Sequence, residues 1–239
     1  MDDAAFEAWA RARRLPPGLR LGAGGSLSAY LRRRFWRPVR NPMFQTAMWC
    51  IGRHAAGLAE ARAVRLVSRE VAVPGLAPQL DGFRILHLSD LHLGVLPGLE
   101  DYIAAALAGV EAELCVVTGD YAPFYTADPA RVVGTLRPLL RQVQSRHGIL
   151  LTLGNYDSPR LAAALRAEDD WRLLVNANHW IEHDGARLAV TGLDDPYEQP
   201  HALLLQALAE PADGFRIVLA HAPEPVSYTH LTLPTIYSV

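Results

Sequence analysis

Four polar clusters in this 239-residue chain each follow a short apolar run: Asp90-Leu91-His92, Gly119-Asp120, Gly154-Asn155-Tyr156-Asp157 and His221. From Asp90 through Asp120 and Asn155 to His221 the separations are 30, 35 and 66 residues. Carboxylate, imidazole and amide oxygen together form a mixed nitrogen and oxygen donor set, which suits Mn, Fe or Zn better than Ca or Mg alone. Thiolate is absent from that set. Cys50 and Cys115 are the two cysteines, and Cys115 lies inside an apolar run, where it reads as a small core residue. Each cluster alone is an ordinary turn or surface feature, and only their succession at strand ends points to one site.

These side chains meet only if the runs before them are strands that end on one rim. Phe83 to Ser89, Leu114 to Thr118, Ile149 to Leu153, Arg187 to Thr191 and Arg216 to Ala220 are short and rich in Val, Ile and Leu, as buried strands are. Val64 to Val73 alternates as a further strand. Between them, Leu99, Tyr102, Ile103, Ala106, Leu107 and Val110 fall at helical spacing. So do Val132, Val133, Leu136, Leu139, Leu140 and Val143, where Pro138 is expected to kink or interrupt the helix. Alternating strands and helices imply an α/β domain, whose ligands bind beyond the carboxyl ends of the strands.

Half the residues are apolar and one fifth are charged, enough for a real core, which excludes disorder and fibrous repeats. No uncharged stretch reaches the roughly 18 to 20 apolar residues of a spanning helix. Charge is unevenly placed: residues 1–70 carry 13 Arg against five acids, and the remainder carries 10 Arg against 20 acids. Residues 1–63 are therefore read as an Arg-rich, mostly helical arm. Asp2 and Asp3 open a run that includes Phe6 and Trp9, and Pro16, Pro17 and the Gly22 to Gly25 stretch break it. Within the arm, arginines surround Phe35 and Trp36. That pattern suits a solvated basic surface docked on the acidic domain, peripheral contact with an anionic membrane, or, through Arg33-Arg34, a twin-arginine signal. The corresponding locations are the cytoplasm, the inner face of the membrane, or an export route. No nucleic acid is expected, because the acidic remainder opposes it.

The segments Phe83-Arg84-Ile85-Leu86-His87-Leu88-Ser89-Asp90-Leu91-His92-Leu93-Gly94 and Val116-Val117-Thr118-Gly119-Asp120 resemble the calcineurin-like metallophosphoesterase family. The resemblance covers about Val64 to Pro225. It implies an α/β fold, a two-sheet sandwich flanked by helices, with two divalent metal ions at the strand ends. By that resemblance Asp90 and His92 bind the first ion, Asp120 bridges both, and Asn155 and His221 bind the second. Two cations about 3.5 to 4 Å apart clamp the phosphoryl oxygens of a phosphorylated substrate, and a metal-bound hydroxide attacks phosphorus. Phosphoester hydrolysis is the implied activity. The competing reading is a phosphoesterase-like scaffold that binds metal or a partner with little or no turnover.

Two departures from the family pattern stand out. Its third motif reads Gly-Asn-His-Asp, whereas Tyr156 occupies the His position here; Tyr156 and Asp157 are the residues assigned to catalysis. A phenol donates a hydrogen bond but, with an ordinary pKa near 10, is a poorer acid than imidazole at neutral pH. The family's closing Gly-His-x-His motif has only an echo in Ser227-Tyr228-Thr229-His230, nine residues past His221. A parallel crossover needs about a dozen residues or more, so His230 is not expected to be a ligand. Residues 226–239 contain no charged side chain and are read as a non-native tail, which leaves 64–225 as a phosphoesterase domain incomplete at its C-terminus.

Overall fold

The run Leu114 to Thr118 is apolar because both of its faces are covered, and the layers of the molecule are arranged around it. The computed structural model describes residues 2–13, 43, 46–123, 125, 127–194, 206–209 and 214–222. Among the described residues the helices are α1 (Asp3–Ala12), α2 (46–50), α3 (His54–Arg62), α4 (Leu99–Leu107), α5 (Pro129–Leu140) and α6 (Pro159–Arg166), with a 3-10 turn at Pro78–Leu80 and a further helical segment at 206–209. The strands are β1 (Ile85–Leu88), β2 (Glu111–Ala112), β3 (Leu114–Thr118), β4 (Gln144–Ser145), β5 (Ile149–Thr152), β6 (Arg172–Leu173), β7 (Ala177–His183), β8 (Ala186–Gly192) and β9 (Phe215–Leu219).

Strands β1, β3, β5 and β6 form one parallel sheet in the order β1-β3-β5-β6. Leu88 pairs with Val117 and Thr118 with Thr152, so the loops after β1, β3 and β5 open on the same edge. A second sheet has the order β7-β8-β9, with β7 antiparallel and β9 parallel to β8. Strands β2 and β4 form a small parallel pair.

Alternation along β3 separates two cores. Leu114 and Val116 join Leu150, Leu174, Ile181, Leu188, Val190 and Leu219 in a layer between the two sheets. Cys115 and Val117 point the other way, into a core with Leu86, Leu151 and the apolar faces of α4, α5 and α6. Phe6 and Trp9 of α1 belong to this second core, so the first helix of the Arg-rich arm packs against the helix-side face of the sheet. Asp2 caps α1 by accepting from the Ala5 N–H.

Two sequence expectations are corrected here. Val64 to Val73 forms no strand, and Val64, Leu66, Val67 and Val71 are exposed. Alternation creates a strand only when a neighbour supplies the ladder, and none pairs with this segment among the described residues. Pro138 does not interrupt α5, which continues to Leu140. Being in the last turn, it removes one hydrogen bond, to the carbonyl four residues back. The Arg33-Arg34 segment, residues 226–239 and His230 lie outside the described residues. No helix among the described residues is long and apolar enough to cross a membrane.

Away from the strand-end rim, a histidine pair clasps the two sheets. His147, in the turn between β4 and β5, has Nε2 3.0 Å from Nδ1 of His183 at the end of β7. Phe83 stacks on His147 and meets His183 edge-on. Burial, then the neighbouring His183 and Arg146, hold the His147 pKa below its ordinary 6.5, although Glu113 and Asp184 pull it upward. The unfolded chain therefore takes up this proton first as the pH drops, and the clasp's stabilisation is lost as the pH falls below 6.5. Thermal melts between pH 7 and pH 5 should show a steeper loss of Tm for the wild type than for His147→Gln. Parallel losses would remove His147 from the acid response.

Candidate metal centre

The loops that leave β1 and β3 are zipped together by backbone hydrogen bonds. The N–H groups of Asp90, His92 and Leu93 donate to the carbonyls of Gly119, Asp120 and Tyr121 at 3.2, 2.9 and 2.8 Å. This arrangement holds Asp90, His92 and Asp120 at φ of 54, 39 and 56°, in the left-handed region that Asp and His enter more readily than most residues. Such conformations persist only where surrounding structure enforces them, and they gather at functional sites. One donor atom from each of the three lies within 4.8 Å of the others.

Asp120 forms the floor of the cluster and is 2 % exposed. Its Oδ1 accepts the Tyr156 N–H at 2.9 Å. Its Oδ2 stands 3.7 Å from His92 Nε2 and 3.5 Å from His221 Nε2. Nδ1 of His92 meets the Ala122 carbonyl at 3.0 Å, and Nδ1 of His221 meets the Thr118 carbonyl at 2.8 Å. A carbonyl only accepts, so each Nδ1 carries a proton, which leaves Nε2 as the ring nitrogen that can ligate a metal. Both imidazoles thus present a donor atom toward the same carboxylate oxygen. Ligands of one ion, each about 2.1 Å from it, stand roughly 3 to 4 Å apart, which these spacings match. Nδ1–H held by a carbonyl is also the usual way to orient a ligating histidine.

Burial is the largest influence on Asp120 and raises its pKa, opposed by His221, the Tyr156 N–H and His92. A cation bound beside this carboxylate would offset the cost of its burial. Asp90 is more exposed and lies at the rim, its Oδ1 3.8 Å from His92 Nε2 and its Oδ2 accepting from Ser89 Oγ at 2.6 Å. The donor set fits divalent metal, as oxygen and nitrogen ligands around a buried acidic floor.

The Gly154 to Asp157 turn follows β5 and is fastened to this floor. Asn155 sits half-buried in it, one residue before the Tyr156 N–H that binds Asp120. The Tyr156 ring stands edge-on to His92, with centroids 5.3 Å apart at 89°. Asp157 accepts from the N–H groups of Asp120, Gly154 and Tyr121 at 2.8, 2.8 and 3.0 Å. It is 0 % exposed, and burial pushes its carboxyl up to about 6, against the Gly154 amide and the Arg13 charge. Its placement is that of a support beneath Asp120.

Two residues of this neighbourhood went unread in the sequence. Arg13, at the end of α1, pairs with Asp194 and donates to the Gly154 carbonyl at 2.6 Å. Asp194 follows the apolar run of β8, the same signal that marked the other strand ends. Nothing local distinguishes Arg13 from its neighbouring arginines.

A family model described as calcineurin-like phosphoesterase matches residues 83–235. The chain belongs to that family. The match takes in β1 through β9 and runs ten residues past Pro225. No curated protein sequence matches the chain. Among solved structures, a protein of unknown function, AQ665, from Aquifex aeolicus is 18% identical over 52% of this chain and 70% of its own, with a TM-score of 0.31. Membership in the calcineurin-like phosphoesterases accords with the Asp90, His92 and Asp120 cluster and suggests metal-dependent hydrolysis of phosphoesters.

Close backbone approach makes one substitution diagnostic. A Cβ on Gly154 would stand 2.2 Å from Asp120 Oδ1 and 2.7 Å from the Asp120 backbone nitrogen. Gly154→Ala must therefore displace the floor carboxylate, and Mn affinity measured by isothermal titration should drop roughly tenfold or more. Unchanged affinity would mean that Asp120 is not a ligand.

Proposed function

We propose that this chain hydrolyses phosphate esters using two divalent cations that share Asp120. The observation that carries this reading is the position of Asp120 Oδ2 between the Nε2 atoms of His92 and His221, each 3.5 to 3.7 Å away. Asp90 and His92 would hold one cation, and Asn155 and His221 the other. Mn, Fe and Zn all suit these donors. When bound, the cations neutralise phosphoryl oxygens and lower the pKa of a nucleophilic water.

The chain's own residues supply positioning and one proton donor. Asp120 fixes the spacing of the two ligand groups because its carboxylate cannot move without breaking the Tyr156 N–H bond. Asp157 is a positioning residue in this scheme rather than an acid or base, since both of its oxygens already accept backbone N–H groups. Tyr156 lies beside His92 at the rim, and its hydroxyl is proposed to donate to the phosphoryl or leaving oxygen.

Turnover of an aryl phosphate monoester and diester after loading with Mn, Fe or Zn tests the reading. Asp120→Asn should lower both metal stoichiometry and turnover, whereas cation binding by the wild type without turnover on either ester favours the scaffold reading. Tyr156→Phe should lower turnover by about tenfold to a thousandfold with metal content unchanged, the usual range for one positioned donor or acid. Wild-type kinetics for the Phe variant on both good and poor leaving groups would exclude Tyr156 from proton donation.

A further inference from the structure

We infer that Arg13 is a positioning residue for the Asn155 turn, which makes helix α1 a working part of the metal centre. The inference rests on the proposed role of Asn155 as a ligand. Arg13 is 0 % exposed, although it lies in the arginine-rich N-terminal region. Its Nη1 pairs with Asp194, while Nη2 donates to the Gly154 carbonyl at 2.6 Å. Asp194 accepts from Trp9 Nε1 at 2.7 Å, and its N–H donates to Asn176 Oδ1 at 3.0 Å. The Tyr125 hydroxyl donates to the Arg13 carbonyl at 2.7 Å.

The carbonyl of Gly154 and the N–H of Asn155 belong to one planar peptide group, so fixing the carbonyl fixes the direction in which the chain enters Asn155. The other side of Gly154 is already held, by its N–H to Asp157 Oδ2 at 2.8 Å. The Gly154 carbonyl also accepts the Asp157 N–H at 3.2 Å across the turn, and Arg13 adds to it a shorter, charge-assisted bond from outside the turn. Packing alone does not require a charge here. Phe6 and Trp9 anchor α1 in the apolar core, and a buried ion pair is a costly way to add adhesion. What the guanidinium adds is its fork: one arm neutralises Asp194 beyond β8, and the second reaches the turn beyond β5.

The test uses the full chain and follows amide hydrogen exchange at Asn155 and Tyr156 by NMR, alongside Mn titration. Arg13→Lys keeps a charge opposite Asp194 but loses the two-armed geometry. The pair Arg13→Met with Asp194→Asn removes both charges, in case a lone buried Asp194 prevents folding. In either variant, exchange at residues 155 and 156 should accelerate roughly tenfold or more, while the amides of β3 keep their protection. Mn affinity should fall in the same variants. Val143→Ala, which opens a cavity in the same core beyond the end of α5, should lower Tm and leave exchange at residues 155 and 156 unchanged. Wild-type exchange at those amides in a folded Arg13 variant would overturn the inference, as would equal acceleration in Val143→Ala. Failure of the wild type to bind Mn would refute the metal reading instead, and the exchange data would still decide the role of Arg13.

Discussion

The carboxylate of Asp157 accepts three backbone N–H groups from two different strand-end loops, and the geometry of the rim depends on that convergence. Gly154 lies in the loop after β5, and Asp120 and Tyr121 lie in the loop after β3. Gly119 approaches so closely that a Cβ on it would stand 2.3 Å from the Gly154 nitrogen. At that range there is no room for a side chain or a water between the loops, so the backbone donors need an acceptor from within. One carboxylate meets all three. Hydrogen bonds to a charged group contribute about 1.5 to 3 kcal/mol each, enough to hold Asp120 in its left-handed conformation.

From this anchor the rest of the site is assembled by backbone contacts. The β1 loop is laid along the β3 loop through the N–H groups of Asp90, His92 and Leu93, which sets the direction of the Asp90 and His92 side chains. His221 arrives from the other sheet, and its Nδ1 bond to the Thr118 carbonyl is where the two layers of the sandwich meet at the rim. The inter-sheet core of Leu114, Val116, Leu150, Leu188 and Val190 determines that the ends of β3 and β9 coincide there. The helix-side core has a second role, because α1 inserts Phe6 and Trp9 into it and carries Arg13 to the Gly154 carbonyl.

Much of this was legible in the sequence for a specific physical reason. Strands buried on both faces are written as short apolar runs, so the polar residues that end them stand out: Leu114 to Thr118 is β3 residue for residue, and Asp120 follows it. The runs that became β1, β5, β8 and β9 were found within two residues at each end. Strand β7 was missed because Ala177-Asn178-His179-Trp180-Ile181-Glu182-His183 is half polar, and its ladder with β8 decides its structure. Val64 to Val73 shows the reverse error, a pattern without a partner. The Arg13 and Asp194 pair was beyond reach, since its members are 181 residues apart and an arginine among arginines looks like surface. The role of Asp157 was likewise hidden, because its motif position says nothing about which amides its oxygens will meet.

The proposal that two cations share Asp120 is most directly tested by anomalous X-ray diffraction from crystals soaked in Mn. Two anomalous peaks are expected on either side of Asp120, about 3.5 to 4 Å apart, one bordered by Asp90 and His92 and the other by Asn155 and His221. A single peak, or two peaks that do not both contact Asp120, would contradict the two-cation centre.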